Sequence, residues 1–326
     1  MSPTRRALFA RVSRETALLT PDIARAILRA FGLLAAELSE AQLAEAIASG
    51  SVERLLTALL APEVTARAFY PVREAIRRSV GRETRLFRRD LPRRARVAVG
   101  TAGIGFDVLN PRVIDAIRRL ETRVITALEE GVRGAVRAHV EAGLAAGQGP
   151  RTIARGIRGV LPLGEAQVGQ VSNFRAALSG VPGRSIKGYT LRNHRVDRML
   201  ARGPLTPEQV TRYTEYYRRA RVAQNAETIA RSAALDSARL GQTLSWQDAI
   251  DKGYVDGANL VKQWVQIDRP TKREEHVPMH GVTVPFDQPY VLPDGTTQMI
   301  PGETDYGCGC QSYVYVATGP RALAAA

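Results

Sequence analysis

Apolar residues recur every three or four positions over most of this chain and give way to strict alternation only near its end. Thr20-Pro21 has the form of an N-cap and first-turn proline, with Ile23, Ile27, Leu28 and Phe31 following at helical spacing. Ser39, with Gln42 three residues later, predicts a second helix opened by a capping box and closed at Gly50. Val72, Ile76, Val80, Phe87 and Leu91 form an apolar stripe through an arginine-rich stretch that Pro92 should break. Residues 97–109 are Gly-rich and poor in charge, and read as a loop or short strand; their glycines complete no phosphate-loop or dinucleotide pattern. Asn110-Pro111 opens the clearest helix. Its Val113, Ile117, Leu120, Val124, Leu128, Val132, Val136 and Val140 predict a run to about residue 145, far longer than the average helix. Shorter helices are expected over 151–159 and 165–178, then a loop over 179–190, then a long helix capped by Thr206-Pro207-Glu208.

Near residue 253 the pattern changes. Val261–Ile267 is a strand candidate, a proline-rich turn segment follows, and Ser312, Val314 and Val316 alternate with Tyr313 and Tyr315 as a terminal strand. The expected fold class is therefore α+β, mainly α: a long-helix body with a small β-containing, turn-rich C-terminal module. The expected divisions are an arginine-rich helical region over 1–99, a helical body over 100–252 and the module over 253–326.

Charge sharpens this division. The 326 residues carry a formal net charge of +14. Residues 1–240 hold 40 basic and 22 acidic side chains, whereas residues 241–326 hold 6 and 10. Nearly all the cations are arginine, which pairs with phosphate bidentately and stays charged. Either a polyanion-facing surface or arginines spread over solvated helix faces accounts for the excess. The densest run, 73–96, sets ten arginines against three acids; Arg77, Arg78, Arg85, Arg88, Arg89, Arg93 and Arg94 are its candidate DNA contacts. Tyr213, Tyr216 and Tyr217 lie among arginines, but their helical spacing favours packing. No stretch of about 18 apolar residues occurs and the N-terminus lacks the form of a secretory signal, so neither a membrane nor export is expected.

All the cysteine and half the histidine of the chain fall in 35 residues: His276, His280, Cys308 and Cys310. Two imidazoles and two thiolates suit tetrahedral zinc, and a disulfide across one intervening residue would be strained. A structural zinc and a metal-free, hydrogen-bonded buried cluster both remain open, as do free thiols. Catalytic metal would call for an open coordination position and a nearby acid; Glu274 and Glu275 are near in sequence, but there is no H-E-x-x-H. A Cys–His nucleophilic pair rests on proximity alone.

The segment from Trp264 to Cys310 resembles the C-terminal module of the phage Mu F-like head-morphogenesis family, through Trp264, Asp268, Arg273, His276, Gly281, Pro285, Asp287, Cys308 and Cys310. Residues 106–117, 147–178 and 225–253 resemble the family's helical part, so the likeness spans roughly residues 100–316. The chain departs from it at Ser232-Ala233, where many members have Thr-Glu, at Asp305-Tyr306-Gly307, where many have His-Pro or Pro-Pro, and at His280, where an acid is common. The resemblance implies a minor head protein, not an enzyme, held inside the virion head beside the portal and made in the host cytoplasm. Its implied partners are the portal, capsid or scaffold proteins and packaged double-stranded DNA. A metal-dependent or Cys-His enzyme acting during infection, and a non-specific DNA-binding protein, are the competing expectations.

Overall fold

The computed structural model describes residues 3–87, 91, 110–266, 273–303 and 308–317, with side chains from residue 10 onward. Among these residues the fold is α+β and mainly helical, as the periodicity predicts. The helices are α1 (Pro3–Ala36), α2 (Glu40–Ala48), α3 (Val52–Leu59), α4 (Pro62–Ala68), α5 (Tyr70–Phe87), α6 (Pro111–Ala145), α7 (Pro150–Val160), α8 (Glu165–Leu178), α9 (Arg195–Leu200) and α10 (Pro207–Asp251). No described helix is long and apolar enough to cross a membrane.

The long helices follow from their stripes. In α6, Ile117, Leu120, Val124, Leu128, Val132, Val136 and Val140 are all buried, and the Asn110 carboxamide accepts the Arg112 amide at its start, 3.0 Å away. At the head of α10 the Thr206 hydroxyl accepts the Gln209 amide (3.3 Å) while the Gln209 side chain accepts the Thr206 amide (2.9 Å), a reciprocal cap. Two expectations fail locally. Thr20-Pro21 does not begin a helix: α1 passes through Pro21, because Leu19, Ile23 and Ile27 continue the buried stripe of Val12, and Thr20 turns its hydroxyl back to the Thr16 carbonyl (2.6 Å). Ser39 does precede α2, but its side chain makes no capping bond. Gly50 ends α2 as expected, with φ +67° and the Ser51 amide reaching back to the Ala46 carbonyl at 2.8 Å. Residues 97–109 and Pro92 lie outside the described residues.

The chain groups into two compact units, divided differently from the three consecutive segments read from the sequence. One comprises Met1–Ile23, Glu74–Thr122 and Ile229–Ala326; the other comprises Ala24–Arg73 and Arg123–Thr228.

In the second unit α2 packs on α7. Gly156 of α7 lets His139 of α6 approach: a Cβ there would meet the imidazole Nε2 at 2.4 Å. A separate small core joins Phe174 and Leu178 of α8, Val196 of α9, and Val210, Tyr213 and Tyr217 of α10.

In the first unit a three-stranded antiparallel sheet has the order β2-β1-β5, with β1 at Leu260–Val265, β2 at Thr283–Pro285 and β5 at Gln311–Val316. Val261 pairs with Pro285 on one side and with Tyr315 on the other. A hairpin of β3 (Tyr290–Val291) and β4 (Thr297–Gln298) turns through Gly295 at φ +81°. Leu260, Phe286 and Val314 bury against Trp246 and Ala249 of α10, fixing the sheet to that helix. α5 and α10 touch backbone to backbone: a Cβ at Gly241 would lie 2.6 Å from Glu83 Cβ and 2.9 Å from the Thr84 amide nitrogen.

Candidate metal centre

Three of the four sequence-predicted ligands converge. His276 closes a single 3-10 turn (Glu274–His276), and Cys308 and Cys310 immediately precede β5. The His276 Nδ1 lies 3.4 Å from Cys308 Sγ and 3.8 Å from Cys310 Sγ. All three donor atoms fall within 4.8 Å of one another, and all three residues are buried, at 1%, 5% and 4% exposure. Zinc held tetrahedrally at about 2.3 Å from sulfur and about 2.05 Å from nitrogen places S and N about 3.6 Å apart. The two observed separations bracket that value, so the residues fit a metal ion in both chemistry and spacing.

His280 does not join them. It is exposed, and its Nδ1 accepts the Gln266 amide at 3.1 Å, because Val277 to Gly281 turn it away from the cluster. The four-ligand set expected from sequence is thus a set of three among the described residues.

The surrounding side chains define the centre. Trp264 on β1, fully buried, sets its ring edge-on to His276 (5.2 Å between centroids) and to Tyr290 (5.1 Å). Met279, Tyr290 and Leu292 complete an apolar wall around both cysteines. Gly281 takes φ +95°, donates its amide to the Trp264 carbonyl (2.9 Å) and accepts the Gln263 carboxamide (2.8 Å), so it turns the chain from His276 into β2. Arg273, another motif position, is solvent-exposed and pairs loosely with Glu275 at 3.8 Å; Asp268 lies outside the described residues.

Arg239, deep in α10, was not singled out by sequence reasoning and holds the centre's backbone. Its Nη2 donates to the Cys308 carbonyl (2.7 Å) and the Cys310 carbonyl (2.5 Å), its Nε donates to the Cys310 carbonyl (3.0 Å), and its Nη1 pairs with Asp236 (2.6 Å). Both charged side chains are buried. Gly302, at φ +81°, leaves room for this arginine; a Cβ there would stand 2.6 Å from Arg239 Nη1 and 3.0 Å from Cys308 Cβ. The signal in the sequence is an Asp-x-x-Arg pair inside Ala- and Ser-rich helix, SAALDSARL, where an isolated charge pair has no solvent to satisfy it.

Electrostatically the two thiols behave as one acid. The hydrogen bond from the Cys310 thiol holds Cys308 below the ordinary thiol range, helped by the Arg239 charge and opposed by burial. Cys310 is pushed upward by that same hydrogen bond, by burial and by the neighbouring thiolate. The Cys310 amide adds a 3.3 Å contact to Cys308 Sγ. A bound divalent cation would displace the shared proton and take both sulfurs as thiolates. Two residues before Trp264 on β1, the Lys262 ammonium donates to the Met299 carbonyl (2.9 Å) and sits 5.1 Å from the centre of the Tyr290 ring; burial lowers its pKa to about 8.

The arginines chosen from sequence as DNA contacts are placed unevenly. Arg77 is engaged: Nε donates to Glu121 at 2.6 Å and Nη1 to Glu74 at 3.2 Å, so its charge is neutralised locally. Arg78 and Arg85 are exposed, with no acid partner. Arg88, Arg89, Arg93 and Arg94 lie outside the described residues. Tyr213 and Tyr217 pack in a core, as their spacing favours, while Tyr216 is 49% exposed.

Comparison with known proteins found no matching family model, no matching curated protein and no matching solved structure.

Proposed function

We propose that this chain is a minor head protein of a tailed bacteriophage, placed inside the head beside the portal, and that its His/Cys centre is architectural rather than catalytic. In this reading the centre holds a zinc ion through His276, Cys308 and Cys310, and the module it closes meets portal, capsid or scaffold protein while the basic helical regions meet packaged DNA.

The observation that carries the reading is the convergence of the motif. Four positions of the Mu F-like pattern, Trp264, His276, Cys308 and Cys310, lie far apart in sequence yet form one buried knot, and a fifth, Gly281, makes the turn that brings His276 to the strand carrying Trp264. Burial favours architecture. A catalytic metal needs a position open to substrate, and a nucleophilic thiolate needs access. Here each donor residue is at most 5% exposed and is enclosed by Trp264, Met279, Tyr290 and Leu292. The anchoring of both cysteine carbonyls by Arg239 points the same way, since it ties the knot to the longest helix.

Immunodetection in purified particles tests the assignment. The protein should be present in heads at a few copies per particle, and disruption of its gene should reduce filled heads. Its absence from particles, with head assembly unaffected by the disruption, would overturn the assignment.

A further inference from the structure

A concentration of unpaired positive charge lies away from residues 73–96, on the small core formed by α8, α9 and the start of α10. Residues 175–219 hold ten lysines and arginines against three acids. Two of the three acids are already ion-paired, and the third, Glu208, accepts a hydroxyl. Asp197 accepts two bonds from Arg192 (2.9 and 3.1 Å), Glu215 accepts from Arg218 (2.6 and 2.7 Å) and Arg219 (2.7 Å), and the Glu208 carboxyl is held down by the Thr206 hydroxyl at its helix start. Arg175, Lys187, Arg195, Arg198, Arg202 and Arg212 are all exposed and have no acid partner; Arg184 touches only the Asn173 carboxamide (2.9 Å).

These cations stand on an ordered scaffold. The Phe174 and Tyr217 rings lie 4.4 Å apart, Tyr189 meets both at 5.1 and 5.4 Å, and the Tyr213 hydroxyl donates to Met199 Sδ at 3.0 Å. Val196, Met199 and Leu200 turn inward to this core, which leaves Arg195, Arg198 and Arg202, at i, i+3 and i+7, on the outward side of α9 and the turn that follows it. Likewise Val210, Tyr213 and Tyr217 face inward and Arg212 faces out. Unpaired arginines on a rigid support lose little freedom when they contact phosphate, and phosphate contact needs charge and hydrogen-bond donors rather than an apolar centre.

We propose that this α8–α9–α10 surface is the chain's docking site for the sugar–phosphate backbone of double-stranded DNA, without sequence preference, through Arg195, Arg198 and Arg202 above all. The inference rests on the head-protein reading only for the source of the DNA. It moves the contact from residues 77–94, chosen on sequence density, to cations that folding leaves unpaired.

The test is fluorescence anisotropy of the full chain with a 30-base-pair duplex of arbitrary sequence, from 50 to 200 mM salt. Each phosphate contact contributes about 0.9 to the slope of log affinity against log salt. The triple variant R195Q/R198Q/R202Q is therefore expected to lose about 2 to 3 units of slope, while the triple Lys variant at the same positions keeps it and R78Q/R85Q changes it by less than about one unit. All carry exposed, unpaired substitutions, so their melting temperatures should match the parent's. An unchanged slope in R195Q/R198Q/R202Q, or an equal loss in R78Q/R85Q, would overturn the proposal. Particle content does not depend on this result, so failure here and failure of the head-protein reading are told apart.

Discussion

Replacing Arg239 by Met removes the link between the longest helix and the His/Cys knot while keeping a long apolar stem in place. Three bonds to the Cys308 and Cys310 carbonyls and one ion pair with Asp236 are lost. A hydrogen bond from a charged donor contributes about 1.5 to 3 kcal/mol, and deleting one member of a buried ion pair costs about 3 to 5 kcal/mol. These terms overlap, since the same guanidinium serves all four contacts, so the expected loss is about 3 to 5 kcal/mol rather than their sum. That is a large part of a typical domain stability of about 5 to 15 kcal/mol. Both tryptophans, Trp246 and Trp264, lie in the unit that contains Arg239, so their fluorescence during urea unfolding reports that unit alone. At a slope of about 3 kcal/mol per molar urea, the midpoint should fall by about 1 to 1.7 M. Arg239→Lys should recover little, because one ammonium cannot reach two carbonyls and a carboxylate with planar geometry. A cost below about 1 kcal/mol for Arg239→Met would refute the claim that this arginine fastens the module.

Two further changes probe the packing of α5 on α10. Glu83 is buried and its Oε1 has no hydrogen-bond partner; burial, reinforced by Glu15 and offset by Arg82 and Arg11, raises its pKa to about 7. The folded state thus holds a proton that the unfolded state releases near pH 4.5, so stability falls as pH rises from about 4.5 to about 7 and is level above that. Glu83→Gln should be more stable than the parent by about 1 to 3 kcal/mol at pH 8 and similar to it at pH 4, read from urea titrations at both; parallel pH profiles for the two proteins would contradict the burial argument. Gly241→Ala places a methyl against the α5 backbone and should cost about 1 to 3 kcal/mol in the same assay, whereas a neutral result would mean that the helices part without loss.

How much of this was legible beforehand depends on the range of the signal. α6 and α8 were readable almost to the residue, because a buried stripe and a local cap, such as Asn110 before Pro111, lie within one stretch of chain. Pro21 misled because the stripe of α1 continues across it; a helix that buries enough apolar surface tolerates one missing hydrogen bond. At the centre, residue type pointed to His276, Cys308 and Cys310, but it could not separate His276 from His280, four residues apart, since only the turn ending at Gly281 decides which imidazole faces inward. Arg239 and Gly302 were missed for a related reason: their roles exist only across about 70 and 60 residues of intervening chain, and no local period reports such a contact. The arginines read from sequence as DNA contacts posed the opposite problem. Density along the sequence drew attention to Arg77, yet its partner Glu121 is 44 residues away, whereas most of the sparser cations after residue 175 have no acid partner because two of the three acids there are already paired with other arginines.

The central claim, that the His/Cys knot is an architectural zinc centre, is tested most directly by measuring metal content and thermal unfolding on the same purified full-length protein before and after chelation. About one zinc per chain should be found, and its removal should lower the melting temperature of the tryptophan-reported transition, with Cys308→Ser giving the low value without chelator. Protein purified without zinc, or a transition that stays in place when bound zinc is stripped away, would contradict it.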